Sequence, residues 1–251
     1  MVSGFLLVSA FSQNAVNRID SKGMKQGKWV STFPGGNKRY EGAFVNGQPV
    51  GEWIRYHENG KVKALMNYRP DSGRAFAQLF DEEGKLYAKG VFDGTKRDST
   101  WNFYNGDKIV QTENYRLGKR EGVAIGFDHN GIVLWAREYK DDWQDGKSLE
   151  YYSDGTKKSE ITYSQGRMSG PARFYDEKGI LFMDGLYKDD LSEGDWFVYS
   201  PDGKIRYKVT YAKGELLNSA AIDSVQLKEF KKYDQVKGKI PEPKMNQSDL
   251  P

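Results

Sequence analysis

The chain has 251 residues, with 38 Lys and Arg against 35 Asp and Glu, for a formal net charge of +3. That balance excludes a dedicated nucleic-acid binder, which needs a concentrated basic face. The absence of cysteine excludes disulfides and thiolate metal sites, and a hydrophobic share of 37%, against the usual ~45–50%, excludes a thick globular core.

The chain opens on Phe5-Leu6-Leu7-Val8-Ser9-Ala10-Phe11-Ser12-Gln13, an apolar run ending in small residues. Ala10 and Ser12 are spaced as at a signal-peptide cleavage site, so residues 1–14 are expected to be a signal-peptide remnant. Export to the periplasm or the exterior follows; if the run is not a signal, the expected location is cytoplasmic. The run is far shorter than the ~20 residues of a membrane-spanning helix, so no transmembrane segment is expected. Residues 15–22 form a polar lead-in.

From residue 23 to 216 four landmarks keep step. A closing aromatic falls at Phe44, Tyr68, Phe92, Tyr115, Tyr139, Tyr163, Tyr187 and Tyr211, in steps of 24 or, once, 23. An earlier aromatic falls at Tyr56, Phe80, Tyr104, Phe127, Tyr151, Tyr175 and Tyr199, and a turn glycine sits between the two. Gly or Asp marks each linker: Gly47, Asp71, Gly94, Gly118, Asp142, Gly166, Asp190 and Gly214. Self-similarity at a fixed period is the mark of a repeat array. Pairs such as Asn59-Gly60, Asn130-Gly131 and Asp202-Gly203 lie between aromatic and β-branched segments, so each unit reads as a β-hairpin. Linkers too short for a crossover helix make the strands antiparallel. The expected fold is all-β, an elongated array of about eight antiparallel hairpins.

Alternation separates an apolar set (Val62, Ala64, Met66, Tyr68) from a polar one (Lys61, Lys63, Leu65, Asn67). The first strand of a unit opens with Gly, and Trp29, Trp53, Trp101 or Trp196 follows two residues later. Ala77, Ala124, Ser148 and Ala172 take that place elsewhere, so bulky and small residues are expected to interlock.

The series Gly51-Glu52-Trp53-x-x-Tyr56-x-x-Asn59-Gly60, closed by Tyr68, resembles the MORN repeat, in the bacterial variant found in the YwqK-type antitoxin family. Gly51–Tyr68 and Gly194–Tyr211 are the best copies. The third unit lacks the opening Gly and Trp, and the fourth has Ser99 for the Gly. The resemblance implies a non-enzymatic binding protein of antitoxin type, and through eukaryotic MORN proteins it implies contact with lipid headgroups.

Beyond Leu217, Ile222, Val225, Phe230 and Tyr233 recur at near-helical spacing. A helix over 217–236 is expected to cap the last strand or dock a partner. Residues 237–251, with three prolines, are expected to be a disordered tail.

No Gly-x-Ser-x-Gly elbow, P-loop or dinucleotide fingerprint is present. No catalytic residue, cofactor or metal is expected, and a polysaccharide- or peptide-acting enzyme would require converging carboxylates in a cleft. His57 and His129 occupy corresponding hairpin loops and read as solvated. The acidic loops Lys140–Gly146 and Lys188–Gly194 lack calcium-loop spacing and read as turns that discourage edge pairing.

The candidate binding surface is aromatic and basic: Trp29, Trp53, Trp101, Trp196, Tyr56, Tyr104, Tyr151, Tyr175, Tyr199, Lys63, Arg206 and Lys208. These aromatics read either as the stacking ladders of the sheet or as a groove offered to a ligand. The expected partner is another protein; a lipid headgroup or a cell-surface polymer is the alternative.

Overall fold

The computed structural model describes residues 16–70 and 72–217, together with Lys228. The expected signal remnant, most of the C-terminal helix and the tail lie outside the described residues. Among the described residues the chain forms nineteen strands, and the pairings given below are all antiparallel.

The chain divides into two compact units, Met1–Gly94 and Thr95–Pro251. The first holds β1 (Arg18–Ile19), β2 (Lys25–Thr32), β3 (Lys38–Val45), β4 (Gln48–Tyr56), β5 (Val62–Tyr68), β6 (Arg74–Phe80) and β7 (Leu86–Asp93), each paired with the next. The second holds β8 (Lys96–Asn105), β9 (Lys108–Arg116), β10 (Lys119–Arg120), β11 (Gly122–Phe127), β12 (Val133–Lys140), β13 (Trp143–Tyr151) and β14 (Lys157–Ser164). It continues through β15 (Arg167–Tyr175), β16 (Leu181–Lys188), β17 (Leu191–Tyr199), β18 (Ile205–Ala212) and β19 (Glu215–Leu216). Here β9 pairs with β8, β10 and β11, and from β11 onward each strand pairs with its successor. The strand count exceeds eight hairpins because β1, β10 and β19, of two residues each, accompany the sixteen longer strands.

The two reversals in each unit use different chemistry, and not in the expected places. At the hairpin tip only the glycine is left-handed: Gly60 has φ 84°, and its amide donates to the His57 carbonyl at 2.9 Å. Immediately beyond, the strands slip by one residue; Tyr56 faces Val62 and Arg55 faces Ala64, which leaves Lys63 as the extra residue of a bulge. At most linkers two successive residues are left-handed, as in Asp141-Asp142 (50° and 73°), Asp189-Asp190 (49° and 70°) and Gln165-Gly166 (48° and 82°), whereas Gly94 stands alone. Two such residues in succession make the primed turn whose twist suits a two-residue hairpin.

The linker turn also ties successive units. The Asp142, Gly166, Asp190 and Gly214 amides donate to the Arg120, Gln144, Met168 and Ser192 carbonyls at 2.8–3.1 Å. Asp142 and Asp190 carboxylates accept from the Arg120 and Met168 amides, each at 2.8 Å. The acidic linkers, expected only to discourage edge pairing, thus also fasten one unit to the next.

The opening glycines mark a second bulge. Glu41 faces Ile54 and Ala43 faces Val50, so Gly51-Glu52-Trp53 stands against Gly42 alone. The same irregularity recurs where Gly146, Gly170 and Gly194 open their strands. In the third unit Ala75 takes that place and the register runs straight, Tyr68 facing Ala75 and Met66 facing Ala77. In the fourth, Ser99 keeps the left-handed conformation at φ 58° despite its Cβ.

Burial follows from side-chain size across the strand pairs. A Cβ on Gly42 would lie 2.1 Å from the Trp53 ring, and one on Gly185 would lie 2.2 Å from Trp196. Where the second member is small the first is large: Met66 faces Ala77, Arg137 faces Ser148 and Ile161 faces Ala172. The expected interlocking of bulky and small residues is therefore present, as indole over glycine in some units and long over short in others. Ile161, Ala172, Phe174, Met183, Tyr187, Trp196, Val198 and Val209 make one buried cluster on that face.

Gly185→Ala should lower stability by about 1–3 kcal/mol or more through overpacking. Gly185→Ile combined with Trp196→Ala copies the Ile161–Ala172 pair and should cost at least about 1 kcal/mol less than the sum of its single changes. Thermal and denaturant melts of the three variants check this. Ser99→Gly should raise stability by up to about 1 kcal/mol, since it relieves a left-handed Cβ, read from the same melts.

Candidate functional site

The side chains singled out from the sequence separate onto two faces. Trp53, Trp101 and Trp196 are 6%, 0% and 0% exposed. Trp53 and Trp196 donate their indole N–H to the Ala43 and Leu186 carbonyls, both at 3.1 Å. Trp29 is half-buried, edge-on to Phe44 with ring centroids 5.6 Å apart, and Lys25 Nζ stands 4.7 Å from its ring. These four are packing residues; the three buried ones offer no ligand-accessible surface.

Alternation sends Tyr56, Tyr104, Tyr151, Tyr175 and Tyr199 to the opposite face, where all five are half-buried. Lys208 shares that face, 2.8 Å from the Asp195 carboxylate. Lys63 and Arg206 are each the extra residue of a tip bulge and belong to neither paired row. The structure thus gathers the tyrosines with Lys208 and separates them from the tryptophans.

An acidic residue on the preceding strand engages two of these tyrosines. Tyr56 donates its hydroxyl to Glu41 at 2.6 Å, and Tyr199 donates to Asp184 at 3.1 Å. Glu160 is a hub, with Lys147 at 3.0 Å, Lys157 at 3.1 Å and Arg173 at 4.0 Å. Lys157 Nζ in turn lies 5.6 Å from the Tyr175 ring. The hydrogen bond to Glu41, with burial second, pushes the Tyr56 phenol up to about 12. The same bond, with one from Lys38, holds Glu41 below the usual carboxylate range. Burial first, then the bond to Asp184, raises Tyr199. Hydrogen bonding from Lys147 leads the lowering of Glu160.

The tryptophan face of the second unit carries a polar inset that the sequence reading missed. Gln111, Glu113, Arg137, Ser148, Glu150 and Ser159 are all buried there. Glu113 accepts from Gln111 at 2.9 Å and from the Tyr115 hydroxyl, while Arg97 lies over Trp101, 4.7 Å from its centre. Burial, followed by the Glu113 charge, raises the Tyr115 phenol. Lys158 stands 3.7 Å from Glu150. Each acid is matched by donors, so the inset is read as packing.

The histidines have structural surroundings. His57 Nε2 donates to the Phe80 carbonyl at 2.9 Å, linking adjacent hairpins rather than standing free in solvent. His129 helps line a cavity of about 590 Å³ with Lys108, Ile109, Thr112 and Phe127. Among the described residues no group of three or more His, Cys, Asp or Glu side chains is placed to hold a metal, and no helix is long and apolar enough to cross a membrane.

Spectrophotometric titrations of the chain and of Glu41→Gln should differ by one phenol, which ionises near pH 12 in the former and moves down toward the ordinary value of 10.0 in the variant. Because the folded state raises this pKa, the contribution is complete below the unfolded value and is lost as pH rises through about 12. An unchanged titration in the variant would refute the Glu41–Tyr56 contact.

No curated protein matches the chain. Among solved structures, a chain of the crystal structure of TcdB2-TccC3-Cdc42 aligns with 12% identity and a TM-score of 0.16. The alignment covers 79% of this chain but only 13% of that one, and a likeness so slight carries no argument. The model of the MORN repeat variant matches residues 49–69, 144–165 and 192–213, which are the hairpins β4–β5, β13–β14 and β17–β18. The chain therefore carries MORN repeat variants at three positions, within an antiparallel sheet whose other hairpins follow the same plan.

Proposed function

We propose that the protein is a non-enzymatic scaffold that recognises another protein through the tyrosine face of its repeats. The observation that carries this is the composition of that face along β15 to β18. Leu186 is 48% exposed between the two strands that flank it, facing Pro171 on one side and Glu193 on the other. Half-buried Tyr175, Phe197 and Tyr199 and exposed Arg173 and Lys208 lie on the same face. Aromatic and arginine anchors with a charged rim are what protein interfaces concentrate.

The charges of this face favour a protein over anionic lipid. Lys147, Lys157 and Arg173 surround Glu160 instead of forming an uncompensated basic cluster. Resemblance of the repeat to the antitoxin family gives the partner a class: a protein whose activity is held in check while bound. Export, expected from residues 1–14, would place that encounter in the envelope or outside the cell, and fractionation of the source cell tests it.

Leu186→Asp and Phe197→Ser should each reduce partner capture by the full-length chain at least tenfold, a difference of about 1.4 kcal/mol. Quantitative pull-down from envelope and cytoplasmic fractions reads the effect, with melting temperature as the folding control. Capture that survives both changes in a folded protein counts against this face.

A further inference from the structure

Trp143 is the one indole of the chain left mostly open among the described residues, 61% exposed, whereas the others are buried or half-buried. It opens β13 just after the Asp141-Asp142 turn, at the linker margin of the second unit. Its ring lies on the next linker: a Cβ on Gly166 would come 2.9 Å from the indole Cε3. The glycine, left-handed at φ 82°, lets the ring rest on the backbone with one side supported and the rest in water.

Around that ring lies a groove of about 720 Å³, lined by Lys140, Asp145, Ser164, Gln165, Arg167 and Ser169 among others. A volume of this order suits a small ligand or a short polymer segment. The groove's floor is ordered, since Asp145 Oδ2 accepts from the Gln165 amide at 3.1 Å. Two further acids at its margin are already matched: Asp141 is 3.1 Å from Lys119, and Asp189 is 3.8 Å from Arg167. Hydroxyls, an amide, carboxylates and cations therefore surround one aromatic platform with little net charge left over.

We propose that this groove binds a neutral sugar ring of an oligosaccharide or polysaccharide, stacked on Trp143. One side of a pyranose presents C–H groups, which suit the electron-rich face of an indole. Its rim presents hydroxyls that both donate and accept, which Asp145, Ser164, Gln165 and Ser169 can answer. A lysine-rich peptide is the rival occupant because Asp141, Asp145 and Asp189 line the groove, but Lys119 and Arg167 already match two of those acids. The site lies on the linker margin and is independent of the tyrosine face, so either reading can fail without the other.

The test is affinity electrophoresis of the full-length chain, and titration with hexamers of β-1,4-glucose, β-1,4-N-acetylglucosamine and α-1,4-glucose up to about 5 mM, where even millimolar affinity is read. Oligolysine is run in parallel, and Glu177→Gln, at the exposed tip between β15 and β16, serves as a variant outside the groove. The expected result is binding of at least one sugar that falls tenfold or more in Trp143→Ala and Asp145→Asn, survives in Trp143→Tyr, and is unchanged in Glu177→Gln. Since Trp143 is exposed, circular dichroism and melting should be unaltered by its substitution. No sugar binding, binding indifferent to Trp143→Ala, or retention by oligolysine alone would overturn the proposal.

Discussion

Indole over glycine is the contact on which the array turns. Within each such strand pair the ring is covered by the backbone of the neighbouring strand. Trp53 over Gly42 and Trp196 over Gly185 do this by bringing an aromatic face against bare backbone. Where the ring is replaced by Ala77, Ser148 or Ala172, a long side chain from the facing strand fills the space, Met66, Arg137 or Ile161. Volume is thus conserved across each of these strand pairs though neither residue is, which is the condition under which cores tolerate substitution best.

The same rule explains why polar residues are tolerated on that face in the second unit. Arg137 stands where Ile161 stands one unit later, and it lies 4.5 Å from the Trp135 ring centre. Its aliphatic stem supplies bulk and its guanidinium meets an aromatic face, so length is used as volume and the charge is not left bare. Glu113, held by Gln111 and Tyr115, is accommodated by the same means. Polar burial here depends on matched donors, because a buried charge left without them is costly.

Much of this was legible in the residues. The step of 24 fixed the hairpins, and the glycine after Asn59 fixed the tip, because both signals are local. The faces were less legible. Lys63 was expected on the polar row, but the bulge beside Tyr56 removes it from alternation. A bulge leaves no mark in composition, since any residue can be the extra one. The tyrosine–acid pairs were missed although Glu41 to Tyr56 and Asp184 to Tyr199 share one separation of 15. Such pairs span neighbouring hairpins and become visible only once strand register is known. Trp143 was passed over because Lys140–Gly146 read as an acidic turn, outside the repeated landmarks, whereas Trp143 opens β13.

The two margins of the sheet differ in what they can absorb. On the linker side, amides at Asp142, Gly166, Asp190 and Gly214 reach back to the unit before, and a longer linker, as between β5 and β6, goes with loss of the glycine bulge that follows it. On the tip side, the fourth unit closes with Asn105 facing Lys108, one residue short, and the strands beyond resume their places. Both margins are therefore sewn, the linkers by backbone amides and the tips by side chains such as His57 and Asn59, which reach the Phe80 and Glu82 carbonyls of the next hairpin. A change of length at the linker margin is absorbed where a bulge is given up beside it.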